Sequence, residues 1–479
     1  MLILFIILSA LASFAICVFS LQAICSEYSV IILLPIAFLV FSLPLIEMLR
    51  KKKKSVYRTT CTLLIGIQWL RTVLAPATGS LCGFYSEIGA KINPTEANSS
   101  GWIMLYELVA VFLFATVLVR CSKSDAETVD GENMTLSGNT TIYSLFFLFA
   151  ITLMLLTKTV PFQFIFLRAG TSTRLAYEQN GNGILDTVIL YGLTFLVILI
   201  IANMHRKYNL SKREVYLNIA ILAIIVRVSL ISSESRLALV YQIGTGLMLM
   251  SKLFPERRPK VVRTLLITAI VVVGLLSIYK VFYAFLYSSY LDALVSKTGF
   301  GLDDIATQLD SYFYGVKTIA RNLSYVESSS DGSLRTWIMD IMRNTFGLHY
   351  LFKGSAITTT EAYNLYLYQG KASSGYMFSS IAYGWMYHSA AFAPISTIVN
   401  LCFACFLEKR IRSIRFIEIY YIMCLAYIRL AVSQFAAFGG TWNYVSRTLV
   451  IGFLIIGFAS IGRMGTKKRG AFRYQPVGR

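Results

Sequence analysis

The chain is expected to be an all-α polytopic membrane protein with about 12 transmembrane helices, a large helical extracytoplasmic loop and both termini cytoplasmic. Three observations predict this. Hydrophobic residues make up 56% of the 479 positions and charged residues only 14%, against about 25% charged in soluble domains. Mean hydropathy is +0.64. Apolar runs long enough for a bilayer of roughly 30 Å recur from one end of the chain to the other. The ~10-residue alternating segments of a strand barrel are absent.

Twelve apolar runs are read, over 2–20, 28–49, 59–79, 101–119, 141–157, 184–204, 214–233, 237–252, 262–286, 377–406, 416–437 and 443–463. The first lacks a basic leader and a small-residue cleavage site, so it is expected to be a retained helix rather than a signal peptide. Orientation follows from Lys and Arg in the connections. The connections assigned to the inside, among them Arg50–Lys54 and Lys409–Arg415, hold 27 Lys and Arg in all, whereas the short outer loops hold Lys91 and Arg236. The same asymmetry accounts for the net charge of +20 without nucleic acid as a partner. Membrane lipids are the expected surroundings.

Three regions result: 1–286 with nine spans and an outer loop at 158–183; 287–376, a large outer segment; and 377–479 with three spans and a basic tail. In the outer segment Ile305, Leu309, Phe313, Val316, Ala320, Leu323 and Val326 recur at spacings of three and four, which predicts one amphipathic helix. LRTWIMDIMRNTF predicts a second over 334–346, with Arg335 and Arg343 on one face. Loops of this length are usually functional.

The cations inside spans carry the most chemistry. Arg71, Arg227, Lys280, Arg429 and Arg447 all fall in the outer half of their spans, opposite to the usual bias. A cation in hydrocarbon faces a cavity or a partner, or snorkels to the interface. Glu107 matches the depth of Arg227, which predicts a pair. Arg236 sits at an outer turn, SSESRLALV, and Arg168 and Arg174 lie in the 158–183 loop. Arg forks match phosphate oxygens. Tyr279, Tyr283, Tyr287 and Tyr290 share a helix face beside Lys280, as an aromatic belt or as a platform for sugar rings; Tyr376 is one of many further outer tyrosines.

Other classes lack their signatures. The chain has three His and no H-E-x-x-H, no G-x-x-x-x-G-K-[ST] and no G-x-S-x-G, so no metal or nucleotide cofactor is expected. His349 and His388 are the outer candidates for a base. Cys25 and Cys82 both fall in outer loops, where a disulfide is open to them.

The twelve-span plan, two Arg-bearing outer loops, the S-x-R turn at Arg236 and the stretch GYMFSSIAYGWMYHSAAFAP at 375–394 resemble the Wzy-type O-antigen or polysaccharide repeat-unit polymerases. Tyr383 stands where many members have an acid. The resemblance implies a metal-independent glycosyltransferase in the bacterial inner membrane. It would join undecaprenyl-diphosphate-linked oligosaccharides at the outer face for lipopolysaccharide biosynthesis, with a chain-length regulator as a possible partner protein. It further implies Arg236 and Arg447 on the leaving diphosphate and Arg168 and Arg174 positioning the donor. Arg335, Arg343, Lys280, Tyr283 and Tyr376 would contact substrate, and His388 would serve the acceptor. A ligase-like outer-face transferase and a lipid-linked oligosaccharide flippase are the competing readings. Transporters often show two similar halves and short loops, unlike this chain.

Overall fold

A computed structural model describes residues 2–22, 29–52, 55–83, 94–122, 129–158, 162–167, 183–231, 236–281, 289–290, 293, 301–329, 332–352, 357–370 and 376–471. The described chain is almost wholly helical. Among the described residues, eight helices are long and apolar enough to cross a membrane, from Ile3–Ser20 to Phe438–Ile461. Apolar side chains all round suit a helix whose outer face meets lipid and whose inner face meets other helices. That is why Phe5, Leu148 and Phe458 stay exposed.

The other four expected spans are helical but shorter or interrupted. Glu214–Ser229 and Ile417–Val432 have 16 residues each, and Leu237–Leu253 is a shorter apolar helix. The run 59–79 forms Arg58–Trp69, a π-helical turn Leu70–Leu74 and Ala75–Leu81 in unbroken succession. Glu408 caps its start: its carboxylate accepts the Thr59 and Thr60 N–H groups at 3.0 Å and the Thr60 hydroxyl at 2.7 Å. An anion at a helix N-terminus satisfies orphan donors and complements the macrodipole.

Two expected helices are each divided. The span 377–406 becomes a short helix Ser380–His388 and a longer one Ile395–Arg412. Between them Ser389 has a left-handed φ of 71°, followed by a 3-10 turn at Ala390–Phe392. The amphipathic helix of the outer segment becomes Leu302–Phe313 and Val316–Ser328. Tyr314 ends the first in the left-handed region and Gly315 begins the second. Asp310 then caps the second helix, accepting the N–H groups of Lys317 at 3.0 Å and Thr318 at 2.8 Å. The apolar spacing continues through this corner, so periodicity alone runs past it.

The chain forms two compact units. The first comprises Met1–Ala126, Phe300–Arg410 and Arg429–Arg447. In it, Ser29–Lys51 packs along Pro94–Cys121, and the helices Leu302–Phe313 and Val316–Ser328 pack on Ala75–Leu81 and Pro94–Cys121. One apolar core joins Phe38 and Phe112 to Ile319, Tyr363 and Phe378. The second unit comprises Glu127–Gly299, Ile411–Ile428 and Thr448–Arg479. Thr140–Thr157, Gly183–Ser211 and Glu214–Ser229 pack in succession there. Its two-residue strands, β1 Gln163–Phe164 and β2 Leu230–Ile231, pair antiparallel, and the Tyr290 hydroxyl donates to the Ile165 carbonyl at 2.5 Å. Glu418 fixes the second unit's 129–139 segment. Its Oε1 accepts the N–H groups of Ser137 at 2.6 Å and Gly138 at 3.0 Å.

Candidate functional site

A polar constellation of the first unit is built by the segment that follows residue 332. Ser333 starts the helix Leu334–Asn344, its hydroxyl accepting the Thr336 N–H at 3.2 Å. Trp337, Asp340, Ile341 and Asn344 follow at the spacing of one helix face. That face turns inward, so Asp340 is only 3% exposed. A carboxylate in such a place needs partners, and it has them. Oδ1 accepts the Thr359 N–H at 2.8 Å and Oδ2 accepts the Tyr383 hydroxyl at 2.7 Å. The Thr359 and Tyr387 hydroxyls share a hydrogen bond of 2.6 Å, and the rings of Tyr383 and Tyr387 meet edge to face at 4.8 Å.

The start of the last long helix, Phe438–Ala471, closes against this group. A Cβ on Gly439 would stand 2.5 Å from Asp340 Oδ2 and 2.8 Å from Asn344 Nδ2. Trp442 donates to the Thr345 hydroxyl at 2.9 Å, and the Phe346 N–H donates to the Ser446 hydroxyl at 3.0 Å. Arg447 follows directly. Its guanidinium carbon lies 5.0 Å from the Tyr444 ring centre, and that of Arg429 lies 3.4 Å from the same centre. Two guanidiniums thus converge on one ring face system, where cation–π attraction offsets part of their mutual repulsion. Among the described residues Arg447 has no carboxylate within ion-pairing distance.

Several expected site residues lie on these same elements. Arg343 is half-buried three residues beyond Asp340, with Nη1 at 3.5 Å from the Ile357 carbonyl. His388 is half-buried next to Tyr387 and meets the edge of Trp337 at 5.1 Å. Burial holds its imidazole below the ordinary histidine range, which favours the neutral ring with a free acceptor nitrogen. Tyr376 is 37% exposed, its backbone fixed at both ends by the Asn364 amide at 2.8 Å and its ring stacked near Tyr368 at 6.2 Å. Arg335 is exposed at the helix start. Arg236 begins the helix Arg236–Leu253 of the second unit. Arg168, Arg174, Tyr283 and Cys25 lie outside the described residues, as do the side chains of Arg236, Lys280 and His349.

Asp340 and Thr359 were not singled out from sequence. The signal for Asp340 was present: a lone acid in register with Trp337 and Ile341 on the apolar stripe of an amphipathic helix.

A second polar centre lies deeper in the first unit, and it corrects one expected pair. Glu107 is paired with Arg71, not with Arg227. Arg71 Nη1 stands 2.6 Å from Glu107 Oε2 with both side chains fully buried. Arg71 Nε donates to the Tyr314 carbonyl at 2.9 Å, and its guanidinium lies 4.6 Å from the Phe435 ring centre. The Thr397 hydroxyl donates to Glu107 Oε1. Depth along two helices matched Glu107 to Arg227, but which face each residue takes decides the partner. The π-helical turn at Leu70–Leu74 rotates Arg71 to its position; such turns break the regular register.

Among the described residues no group of three or more His, Cys, Asp or Glu stands together as a metal site. Compared with models of known protein families, with curated proteins and with solved structures, the chain matches none.

Proposed function

We propose that the chain is an outer-face membrane glycosyltransferase of the O-antigen polymerase kind, acting on undecaprenyl-diphosphate-linked oligosaccharides in the bacterial inner membrane. The observation that carries this reading is the convergence of Arg429 and Arg447 on Tyr444, next to an outer segment locked by Asp340.

In the reaction, a hydroxyl oxygen of the acceptor sugar attacks the anomeric carbon of the donor. The bond from that carbon to the diphosphate oxygen breaks, and the lipid diphosphate leaves with the electron pair. The hydroxyl proton must go to a base. Positive groups fixed in advance around the departing diphosphate lower the barrier, because they need not reorganise as charge develops. Arg447 and Arg429 take that role here. His388, neutral at physiological pH, is the proton acceptor; the engaged oxygens of Asp340 make it a positioning group. Tyr376 offers a ring to a sugar. The activated donor brings its own driving force.

The test is turnover of a purified lipid-linked oligosaccharide in detergent. Arg447→Ala is expected to lower the rate about 100-fold or more with unchanged expression, and Arg447→Lys to recover part of it. In cells, loss should leave single capped units rather than polymer stranded on its lipid carrier, the pattern of a ligase defect. Wild-type turnover and chain length in Arg447→Ala would refute the reading.

A further inference from the structure

Arg227 lies in the last turn of the second-unit helix Glu214–Ser229, three residues before β2. It is 7% exposed. Among the described residues, the groups that contact it are uncharged. Nη1 donates to Gln242 Oε1 at 3.0 Å, and Nη2 stands 3.5 Å from Thr194 Oγ1. Tyr191 and Tyr421 are within its electrostatic reach. Nε is buried and has no acceptor. Among the described residues no carboxylate comes within ion-pairing distance.

Arg71 shows what the same chain does when a buried guanidinium is structural: it supplies Glu107. Arg227 receives no such partner among the described residues. A guanidinium cannot escape by losing its proton, and an uncompensated cation among apolar helices is costly and marks a functional place by default. None of the described residues supplies the compensating charge, which leaves the place to a ligand.

We infer that Arg227 anchors an oxyanion site of the phosphate type within the second unit. The residue's bonds to Gln242 and Thr194 use its two Nη groups, which leaves the Nε edge for a ligand. Paired N–H groups on one guanidinium edge match two oxygens of a phosphate. The Thr194 hydroxyl donates to the Leu190 carbonyl at 2.8 Å and so holds the guanidinium as an acceptor, while the Tyr421 phenol, within electrostatic reach of the cation, is a further donor for the third oxygen that a phosphate has and a carboxylate lacks. The phosphate belongs either to a lipid headgroup or to a soluble phosphate compound. This site is independent of the transferase reading, because none of its residues is used there.

The experiment is hydrogen–deuterium exchange of 214–229 and 237–253 on the full chain in neutral-lipid nanodiscs. One arm adds inorganic pyrophosphate and the other replaces part of the lipid with phosphatidylglycerol. Protection in the lipid arm alone assigns a headgroup; protection in the pyrophosphate arm alone assigns a soluble oxyanion. Arg227→Gln should weaken the effective probe at least 10-fold, while Arg447→Ala in the first unit leaves it unchanged. Tyr421→Phe and Thr194→Val keep the side-chain shapes and should each weaken it several-fold, which decides the matter even if Arg227→Gln fails to fold. Absence of protection by either probe in the native chain overturns the site. So does native protection in Arg227→Gln, or in both conservative variants.

Discussion

Arg71 and Glu107 form a buried pair whose worth lies in its completeness. Two charges in a low-dielectric interior repay their desolvation poorly, yet removing one strands the other. Glu107→Gln is therefore expected to cost about 3–5 kcal/mol of stability, read from the unfolding midpoint in detergent. Arg71→Met combined with Glu107→Leu should cost far less than the single change. If Glu107→Gln unfolds like the native chain, the pair has no energetic role. That such cations sit inside spans was legible in the sequence, because depth along an apolar run is a count of residues. The partner was not, because it depends on azimuth. Arg71 meets Glu107 from within the π-helical turn at Leu70–Leu74, with its Nε held by the Tyr314 carbonyl.

At the scale of elements, the helices were readable and their interruptions were not. Apolar residues continue through Tyr314–Gly315 and through Ser389, so the pattern that predicts a helix gives no sign of either corner. The candidate site suffers the same limit. Arg343, His388 and Arg447 stood out by type and position, whereas Asp340 acquires its meaning only from Tyr383 and Thr359, distant in sequence. The contact between Gly439 and Asp340 gives an element-level prediction. A methyl group at Gly439 would press on Asp340 Oδ2 and Asn344 Nδ2, and forcing carbon into a filled site typically costs about 1–3 kcal/mol. Gly439→Ala should lower the unfolding midpoint accordingly. In an Asp340→Ala background the same change should cost less, with only Asn344 Nδ2 left to give way, since neighbouring sites couple. Additive effects would mean that the last helix does not rest on this carboxylate.

For the whole molecule, no linear boundary in the sequence announces the two units. Each is assembled from three separated segments, and the stretch from Ile411 to Ile428 interrupts the first. The sidedness, by contrast, rests on nothing but charge counts. It predicts that exposed Cys121, as the sole cysteine, reacts with an impermeant maleimide only after the cells are opened. Ser330→Cys in a cysteine-free background should react in intact cells. Reversed labelling would invert the topology and remove the outer face from the proposed chemistry.

The kink at Ser389 fixes where hydrocarbon must stop. Residues 389–392 are solvent-accessible and leave regular helix, and a lipid-exposed backbone of that kind is not tolerated among acyl chains. Tyr106 donates a hydrogen bond to the Ala391 carbonyl at 2.6 Å. The waterline therefore runs along this corner. A greasy carrier would dock below it along Ile395–Arg412, while its hydrophilic cargo would lie above, level with Ser380–His388.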